Sequence, residues 1–232
     1  MDKDTISLLN AINRRFYEVT APEFDQTRGK AWPGWERLLD HLPAARPLRV
    51  LDVGCGNGRF GVFMGDHVTM QYTGVDNNAA LLAAARQSLP PDAHLIQQDA
   101  IESPITLESR FDLIGVFGVI HHVPGADARR AFVHHLAGLL NPGGVLALAC
   151  WRFYEFARFQ ERIVPWPDDL AQKVEPHDYL LDWRRGEVAL RYCHYVDDAE
   201  LESLITASGL QEQTRYRADG FSNSVNVYTV LR

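Results

Sequence analysis

The sequence predicts an α/β protein with a doubly wound, Rossmann-like sheet. Three observations carry this prediction. Short apolar strands alternate with helical segments between residues 48 and 150. Glycines follow the first strand, where a helix is expected to begin, and two further strand-like runs close the chain. Strands that alternate with helices favour parallel pairing, because each crossover helix packs on one face of the sheet.

Seven short runs have the composition of strands. They are rich in β-branched or aliphatic residues and end at polar or glycine-containing turns, as is typical of buried strands. The predicted strands are residues 48–53, 71–75, 94–98, 111–117, 145–150, 210–217 and 225–231. The last two flank a polar loop, so this hairpin is expected to add one antiparallel strand at the edge of the sheet.

Three segments are predicted as helices. Residues 78–89 are almost all helix formers and stop at Pro90-Pro91. Residues 126–140 place apolar side chains at helical spacing, and the sequence 141–144 (Asn-Pro-Gly-Gly) is expected to end that helix. Residues 197–208 form the third helix, with Gly209 as its stop signal.

Length and composition limit the class of protein. A chain of 232 residues that is 46% hydrophobic fits one α/β domain. The longest apolar run has seven residues, and the chain starts with acidic charge, so neither a membrane span nor a signal peptide is expected. Three widely spaced cysteines exclude a disulfide scaffold and fit a cytoplasmic location. A net charge of −7 argues against a general nucleic-acid coat protein.

The most informative segment follows the first strand. Gly54, Gly56 and Gly58 come directly after Asp52-Val53 and before an expected helix. Glycines at such a turn let a bound molecule lie against the backbone, near the positive end of the helix dipole. An overlapping G-x-G-x-x-G match, which ends at Gly61, leaves a nicotinamide dinucleotide as an alternative ligand.

Acidic residues around this turn favour a cationic cofactor. Asp52 at the mouth of the pocket would repel a pyrophosphate. Asp76 follows the second strand, near the position from which an acid binds ribose hydroxyls, and Asp99 follows the third strand, where it could accept from an adenine amino group. S-adenosylmethionine has a sulfonium, a ribose and an adenine but no phosphate. The alternative is that the glycines form only a tight turn and the acids cap helices.

Several motifs resemble those of class I S-adenosylmethionine-dependent methyltransferases. The matching segments are residues 51–58, Gly74-Val75-Asp76, Asp99-Ala100 and residues 111–114 (Phe-Asp-Leu-Ile). The resemblance implies a seven-stranded sheet whose last strand is antiparallel, with S-adenosylmethionine as the cofactor. The candidate cofactor-binding residues are Asp52, Gly54, Cys55, Gly56, Asn57, Gly58, Asp76, Asn77, Asp99, Ala100, Phe117 and Trp32.

A narrower resemblance extends over nearly the whole chain. It is carried by residues 26–33, 120–123, 141–144, 164–166 and 192–196 together with Glu200-Leu201. These segments are similar to those of tRNA methyltransferases that esterify carboxymethyluridine at the wobble position. The resemblance therefore implies tRNA as a partner, with a small-molecule acid as the alternative acceptor. One position departs from the pattern, because Val227 stands where an aromatic residue is expected after Asn226.

Three residues are candidates for the reaction. His121 and His122 come just after the fourth strand, at the sheet edge where ligands bind, and could orient the substrate or remove a proton. Arg28 lies close to Trp32 and could hold an anionic substrate. The alternative for the histidines is a backbone cap and a surface position. His134 and His135 are expected to serve in packing, and no metal site is predicted, because adjacent histidines do not readily converge on one ion.

The chain is expected to form one methyltransferase domain, residues 1–232. It comprises an N-terminal helical cap (1–47), a cofactor-binding core (48–150), an insertion (151–196) and a C-terminal helix and hairpin (197–232). The insertion holds 10 of the 24 aromatic residues and is expected to form both a small core and a lid or substrate region. The sequence leaves open whether the chain needs a protein partner, and a non-enzymatic binding module remains an alternative. Three arginine pairs, beginning at Arg14, Arg129 and Arg184, are weak candidates for phosphate contacts.

Overall fold

A computed structural model describes residues 1–26, 30–184 and 188–232. Its main sheet has seven strands in the order β3-β2-β1-β4-β5-β10-β9. These strands are β1 (Leu48–Val53), β2 (Met70–Asp76), β3 (His94–Gln97), β4 (Phe111–Phe117), β5 (Leu140–Trp151), β9 (Glu212–Ala218) and β10 (Asn226–Leu231). The first five pair in parallel, and β10 runs antiparallel to both of its neighbours. The predicted fold class is therefore confirmed.

The position of the antiparallel strand differs from the prediction. The last strand of the chain, β10, lies inside the sheet between β5 and β9, and β9 takes the edge. Burial explains this order. All six residues of β10 are buried, whereas the first four residues of β9 are exposed or half-buried. Polar side chains such as that of Arg215 tolerate an edge position, while a strand that is buried along its whole length needs a neighbour on each side.

Eight α-helices occur in the described residues. They are α1 (Lys3–Gln26), α2 (Pro33–Leu38), α3 (Arg59–His67), α4 (Ala79–Ser88), α5 (Ala126–Gly138), α6 (Ala157–Gln160), α7 (Asp168–Ala171) and α8 (Asp198–Ser208). The Asn78 side chain caps α4 by accepting from the amide of Leu81 at 3.0 Å, and Gly209 ends α8 as predicted. Helix α5 ends at Gly138, before the predicted stop, and residues 141–144 belong to β5.

Two apolar clusters cover the two faces of the main sheet. One joins the sheet to α5 and α8 through residues such as Leu136 and Leu201. The other joins the sheet to α2, α3 and α4 through residues such as Trp35, Phe60 and Leu82. Helices on both faces make the sheet doubly wound, which leaves the carboxyl ends of its parallel strands as the open edge.

Residues of the insertion form a second sheet. It is antiparallel, with strands β6 (Ile163–Val164), β7 (Asp178–Arg184) and β8 (Val188–His194). Helix α1 ties it to the main sheet: Asn13 accepts from the amide of Tyr192 at 2.9 Å, and Asn78 donates to the carbonyl of Tyr17 at 3.0 Å. No helix in the described part of the chain is both long and apolar enough to cross a membrane.

Candidate active site

A cavity of about 900 Å³ opens at the carboxyl edge of the main sheet. The ends of β1, β2 and β4 form its inner wall, and α1 and the insertion form its outer wall. Its volume is within the range of small-molecule and cofactor sites. The inner wall is rich in glycine and acid, whereas the outer wall is rich in aromatic residues and arginine.

The glycine loop shapes the inner wall. Gly54 and Gly56 have φ values of +72° and +54°, which side-chain-bearing residues rarely adopt. The amide of Gly56 donates to Asp76 Oδ2 at 2.8 Å, so the loop is fixed to the end of β2. A Cβ atom at Gly56 would meet open space, which leaves bare backbone beside the cavity. Gly58 is different, because it packs against Ala85 and Leu89 and does not line the cavity.

Three aspartates converge on this wall, since each follows or ends a neighbouring parallel strand. Asp52 is 2% exposed and accepts from the Tyr72 hydroxyl at 2.7 Å, so it lies deep in the wall rather than at the mouth. Burial raises the pKa of Asp52 to about 7. Burial also raises the pKa of Asp76, although backbone amides of Asn78 and Gly56 oppose that shift. Asp99 accepts from Asn77 Nδ2 at 3.0 Å.

The structure brings most of the predicted site residues to this one cavity. Those that line it are Trp32, Asp52, Gly54, Cys55, Gly56, Asn57, Asp76, Asn77, Asp99, Ala100, Phe117, His121 and His122. The exception among the described candidates is Gly58. Arg28 lies outside the described residues. Their convergence has a simple cause, because the carboxyl ends of parallel strands meet at one edge.

The two candidate histidines have different surroundings. The ring of His121 is 5.6 Å from that of Trp151, and both residues line the outer part of the cavity. His122 is held more firmly: its Nε2 is 2.9 Å from the Tyr17 hydroxyl, and its Nδ1 is 3.0 Å from the carbonyl of Tyr192. His121 thus lines the cavity beside Trp151, and His122 links α1 to β8 through Tyr17 and Tyr192.

The remaining predicted contacts fall elsewhere. His134 and His135 each contact a backbone carbonyl, of Ala207 and Ile105, away from the cavity. Arg129 is buried and forms ion pairs with Glu175 and Glu200, so it is not available to bind phosphate. The prediction that it contacts phosphate is wrong. Arg14 pairs with Glu102 at the rim of the cavity.

Sequence reasoning missed most of the outer wall. The residues it did not identify include Arg158, Phe159, Arg162, Trp183, Arg191 and Asn226. The aromatic composition of the insertion was the available signal for some of them. Trp151 and Phe159 pack on the small core around Phe153 and also line the cavity. These are the two positions expected of aromatic residues in the insertion.

A buried charge network holds the insertion on the core. His194 Nδ1 is 2.7 Å from Asp178, and His194 Nε2 is 2.5 Å from Glu200. Burial alone would lower the pKa of His194, but its hydrogen bonds to the two carboxylates raise it. Both ring nitrogens can donate to these carboxylates only when the ring is an imidazolium, the form that a raised pKa favours. Burial would raise the pKa of Glu200, yet the bonds and charges of His194 and Arg129 lower it.

This network predicts a loss of stability at alkaline pH. A raised His194 pKa contributes stability that is fully present below the unfolded value of about 6.5, and it is lost as pH rises through the folded value. We therefore expect the difference in melting temperature between wild type and His194→Gln to shrink as the pH rises from 6 to 9. Thermal unfolding across this range measures it, with His134→Gln as the surface control. A difference in melting temperature between the two proteins that does not change with pH would contradict a raised pKa of His194.

Comparisons with known proteins agree with this geometry. A family profile described as a methyltransferase domain matches residues 50–144. The tRNA (carboxymethyluridine(34)-5-O)-methyltransferase of Saccharomyces cerevisiae is 30% identical over 162 residues, which cover 66% of this chain and 55% of that protein. The malonyl-[acyl-carrier protein] O-methyltransferase of Enterobacter lignolyticus is 33% identical over 127 residues, 55% of this chain and 48% of that protein. The matches thus span about half the length of these curated relatives.

A solved structure supports the fold. The amino pentose methyltransferase CalS10 of Micromonospora echinaspora, with S-adenosylmethionine bound, superposes with a TM-score of 0.64 at 22% identity. The alignment covers 91% of this chain and 95% of that one. Together, the fold, the cavity and the profile identify a methyltransferase domain over residues 50–144, and the fold is that of a solved S-adenosylmethionine-bound methyltransferase. The sequence is similar to the tRNA carboxymethyluridine enzymes.

The cofactor prediction, S-adenosylmethionine, is confirmed by the methyltransferase profile and by the similar structures that hold S-adenosylmethionine or S-adenosylhomocysteine. The bare backbone at Gly56, with the carboxylates of Asp76 and Asp99 beside it, fits a ribose and an adenine. The nicotinamide alternative is wrong. A dinucleotide site needs its second glycine open to the pyrophosphate, and the corresponding Gly58 faces α4 instead.

Proposed function

We propose that this chain transfers a methyl group from S-adenosylmethionine to the carboxylate of a carboxymethyl group on a wobble uridine of tRNA. The observation that carries the proposal is the contrast between the two walls of one cavity. Asp52, Asp76 and Asp99 line the cofactor side, whereas on the insertion side Arg158, Arg162, Arg191 and several aromatic rings outnumber one acid, Asp182. A cationic and aromatic wall suits an acceptor that combines a base with negative charge.

The outer wall offers two kinds of contact to such an acceptor. Trp151, Phe159 and Trp183 present aromatic rings on which a base can stack. Arg158 is exposed at the mouth, with its guanidinium 4.5 Å from the ring of Phe221, and Arg162 is half-buried nearby. Phosphates of a polynucleotide are the natural partners of arginines at an open mouth. The departure at Val227 does not affect this wall, because Val227 packs in the apolar core.

The reaction asks little of the protein's acid–base groups. When bound, S-adenosylmethionine supplies a methyl group activated by a positively charged sulfur. A carboxylate acceptor is already ionised at neutral pH, so no general base is needed. The chain's residues therefore have to hold the acceptor in line and exclude water. In this proposal His121 orients the acceptor, and His122 keeps the wall in place through Tyr17 and Tyr192. Arg28 remains a predicted substrate contact.

A second candidate acceptor is a small acid, which the similarity to a malonyl-carrier-protein methyltransferase favours. Both candidates are carboxylates, so the chemistry is the same and the acceptor alone differs.

The cytoplasm is the proposed location. The three cysteines are buried and free, which fits a reducing compartment.

Methyl-labelled donor separates the acceptors. The protein is incubated with labelled S-adenosylmethionine and either unfractionated tRNA or malonyl-[acyl-carrier protein], and Asp76→Ala serves as the cofactor-deficient control. We expect label in tRNA that mild alkali releases, because an ester hydrolyses and an N-methyl or C-methyl group does not. Label found only in the malonyl fraction would replace the tRNA proposal with the small-acid one. Alkali-stable label would contradict both.

A further inference from the structure

Three arginines are buried among the described residues, and one of them differs from the other two. Arg129 and Arg152, 1% and 2% exposed, each pair with carboxylates. Arg191 is 9% exposed, yet within the described parts of the chain it forms no ion pair and its Nε atom has no hydrogen-bond partner. A buried charge without a counterion costs several kcal/mol, roughly, so folding alone gives no reason to keep it.

The position of Arg191 suggests that its counterion is a ligand. The residue lies in β8 and lines the cavity. Its guanidinium carbon is 4.7 Å from the ring of Trp151 and 5.1 Å from the ring of Phe16. Two aromatic faces hold the planar group without using its N–H donors. Trp151 in turn lies beside His121, so the charge adjoins the wall assigned to the acceptor.

We propose that Arg191 binds the carboxylate of the methyl acceptor and holds one of its oxygens in line for transfer. The inference rests on the proposed function in taking a carboxylate as the nucleophile. A guanidinium fits a carboxylate through two parallel hydrogen bonds, which fix its orientation as well as its position. Arg191 is then a substrate-contacting residue on the insertion side of the cavity, away from Asp52, Asp76 and Asp99.

The charge balance of the step gives Arg191 a second effect. The acceptor oxygen forms a bond to the methyl carbon while the bond from that carbon to sulfur breaks, and its electron pair stays on sulfur. No proton moves. The carboxylate becomes a neutral ester, so the charged contact with Arg191 exists before transfer and is lost afterwards. The site should therefore bind the acid more tightly than its methyl ester, which favours release of the product.

The test compares the acid with its ester on protein saturated with S-adenosylhomocysteine. The probes are the nucleosides 5-carboxymethyluridine and its methyl ester, titrated by calorimetry. We expect wild type to prefer the acid by about tenfold or more, the range of a charge-assisted hydrogen bond. Arg191→Met should bind the two equally, with unchanged affinity for S-adenosylhomocysteine. Arg217→Met, at a partly exposed arginine that does not line the cavity, should keep the preference and serves as the matched control.

Stability distinguishes this role from a structural one. Arg191→Met keeps an unbranched side chain between two rings and removes an unpaired charge, so it should melt at the same temperature as wild type or about 2–4 °C higher. A large fall in melting temperature would make Arg191 structural and overturn the proposal. Equal binding of acid and ester by wild type would also overturn it.

The outcome is separable from that of the proposed function. If tRNA is not methylated but wild type prefers the acid and Arg191→Met does not, the role of Arg191 in binding the carboxylate is supported and the tRNA assignment fails. If tRNA is esterified equally fast by wild type and Arg191→Met, the tRNA assignment is supported and the carboxylate-binding role of Arg191 is overturned. Arg191→Lys retains charge without the paired donors, so we expect it to recover part of the acid preference.

Discussion

Asp76→Ala is expected to weaken binding of S-adenosylhomocysteine by about 10- to 150-fold, which corresponds to about 1.5–3 kcal/mol. The carboxylate accepts from the amides of Gly56 and Asn78, both at 2.8 Å. Its loss leaves these two donors unpaired and frees the glycine loop from β2. The remaining lone pairs of Asp76 are the proposed acceptors for the ribose hydroxyls, so the variant loses a ligand contact as well. Calorimetric titration gives the affinity directly.

Asp112→Ala is the matched control for this prediction. Asp112 also lies on a strand of the main sheet and accepts from the amide of Arg49 at 2.9 Å and from Asn141 Nδ2 at 2.7 Å. It stands at the opposite end of the sheet and does not line the cavity. We expect Asp112→Ala to lower the melting temperature without changing the affinity. An Asp76→Ala affinity within twofold of wild type would remove Asp76 from the cofactor site.

The sheet could be predicted because its signal is local. In residues 48–53, for example, four of the six residues are apolar and β-branched or leucine, a composition typical of strands buried on both faces. The order of the last two strands could not be predicted in this way, because the sequence pattern of the hairpin is compatible with either strand at the edge of the sheet. The deciding quantity is the contact of β10 with β5, which is a tertiary one.

The N-terminal cap was predicted to be helical, but the bounds of its long first helix were not, for a physical reason. The inner face of α1 buries polar as well as apolar residues, among them Thr5, Asn10, Asn13 and Thr20. Such a face has no clear apolar stripe. Asn13 is buried because it bonds to Tyr192 and His122 from distant parts of the chain. A polar residue whose partner is remote in sequence looks like a solvated one until the fold is known.

The cofactor side of the site could be predicted and the acceptor side could not. Asp52, Asp76 and Asp99 follow successive strands, so parallel topology alone brings them together. Arg191 has no such signal, because an arginine in a strand is usually solvated. What buries it is the pair of rings from Phe16 in α1 and Trp151 at the end of β5.

Arg129→Met is expected to lower the free energy of unfolding by about 3–5 kcal/mol, the cost of breaking a buried ion pair from one side. Arg129 Nε donates to Glu200 at 2.6 Å, and Nη2 donates to Glu175 at 3.0 Å. Removing the cation leaves two carboxylates close to the interior without their main counter-charge. At roughly 2–4 °C for each kcal/mol in a domain of this size, the melting temperature should fall by about 6–20 °C.

The next residue provides the control. Arg130 also pairs with a carboxylate, but its partner Asp127 is 98% exposed, so Arg130→Met should change the stability by less than about 1 kcal/mol. The same network extends through His194 and Asp178 to the Tyr192 hydroxyl. The Tyr192 carbonyl contacts His122, which lines the cavity. Below its melting temperature Arg129→Met should therefore keep its cofactor affinity and lose acceptor turnover. A variant as stable as wild type would mean that the two carboxylates are protonated or solvated in the folded protein, and the insertion would then need another attachment to the core.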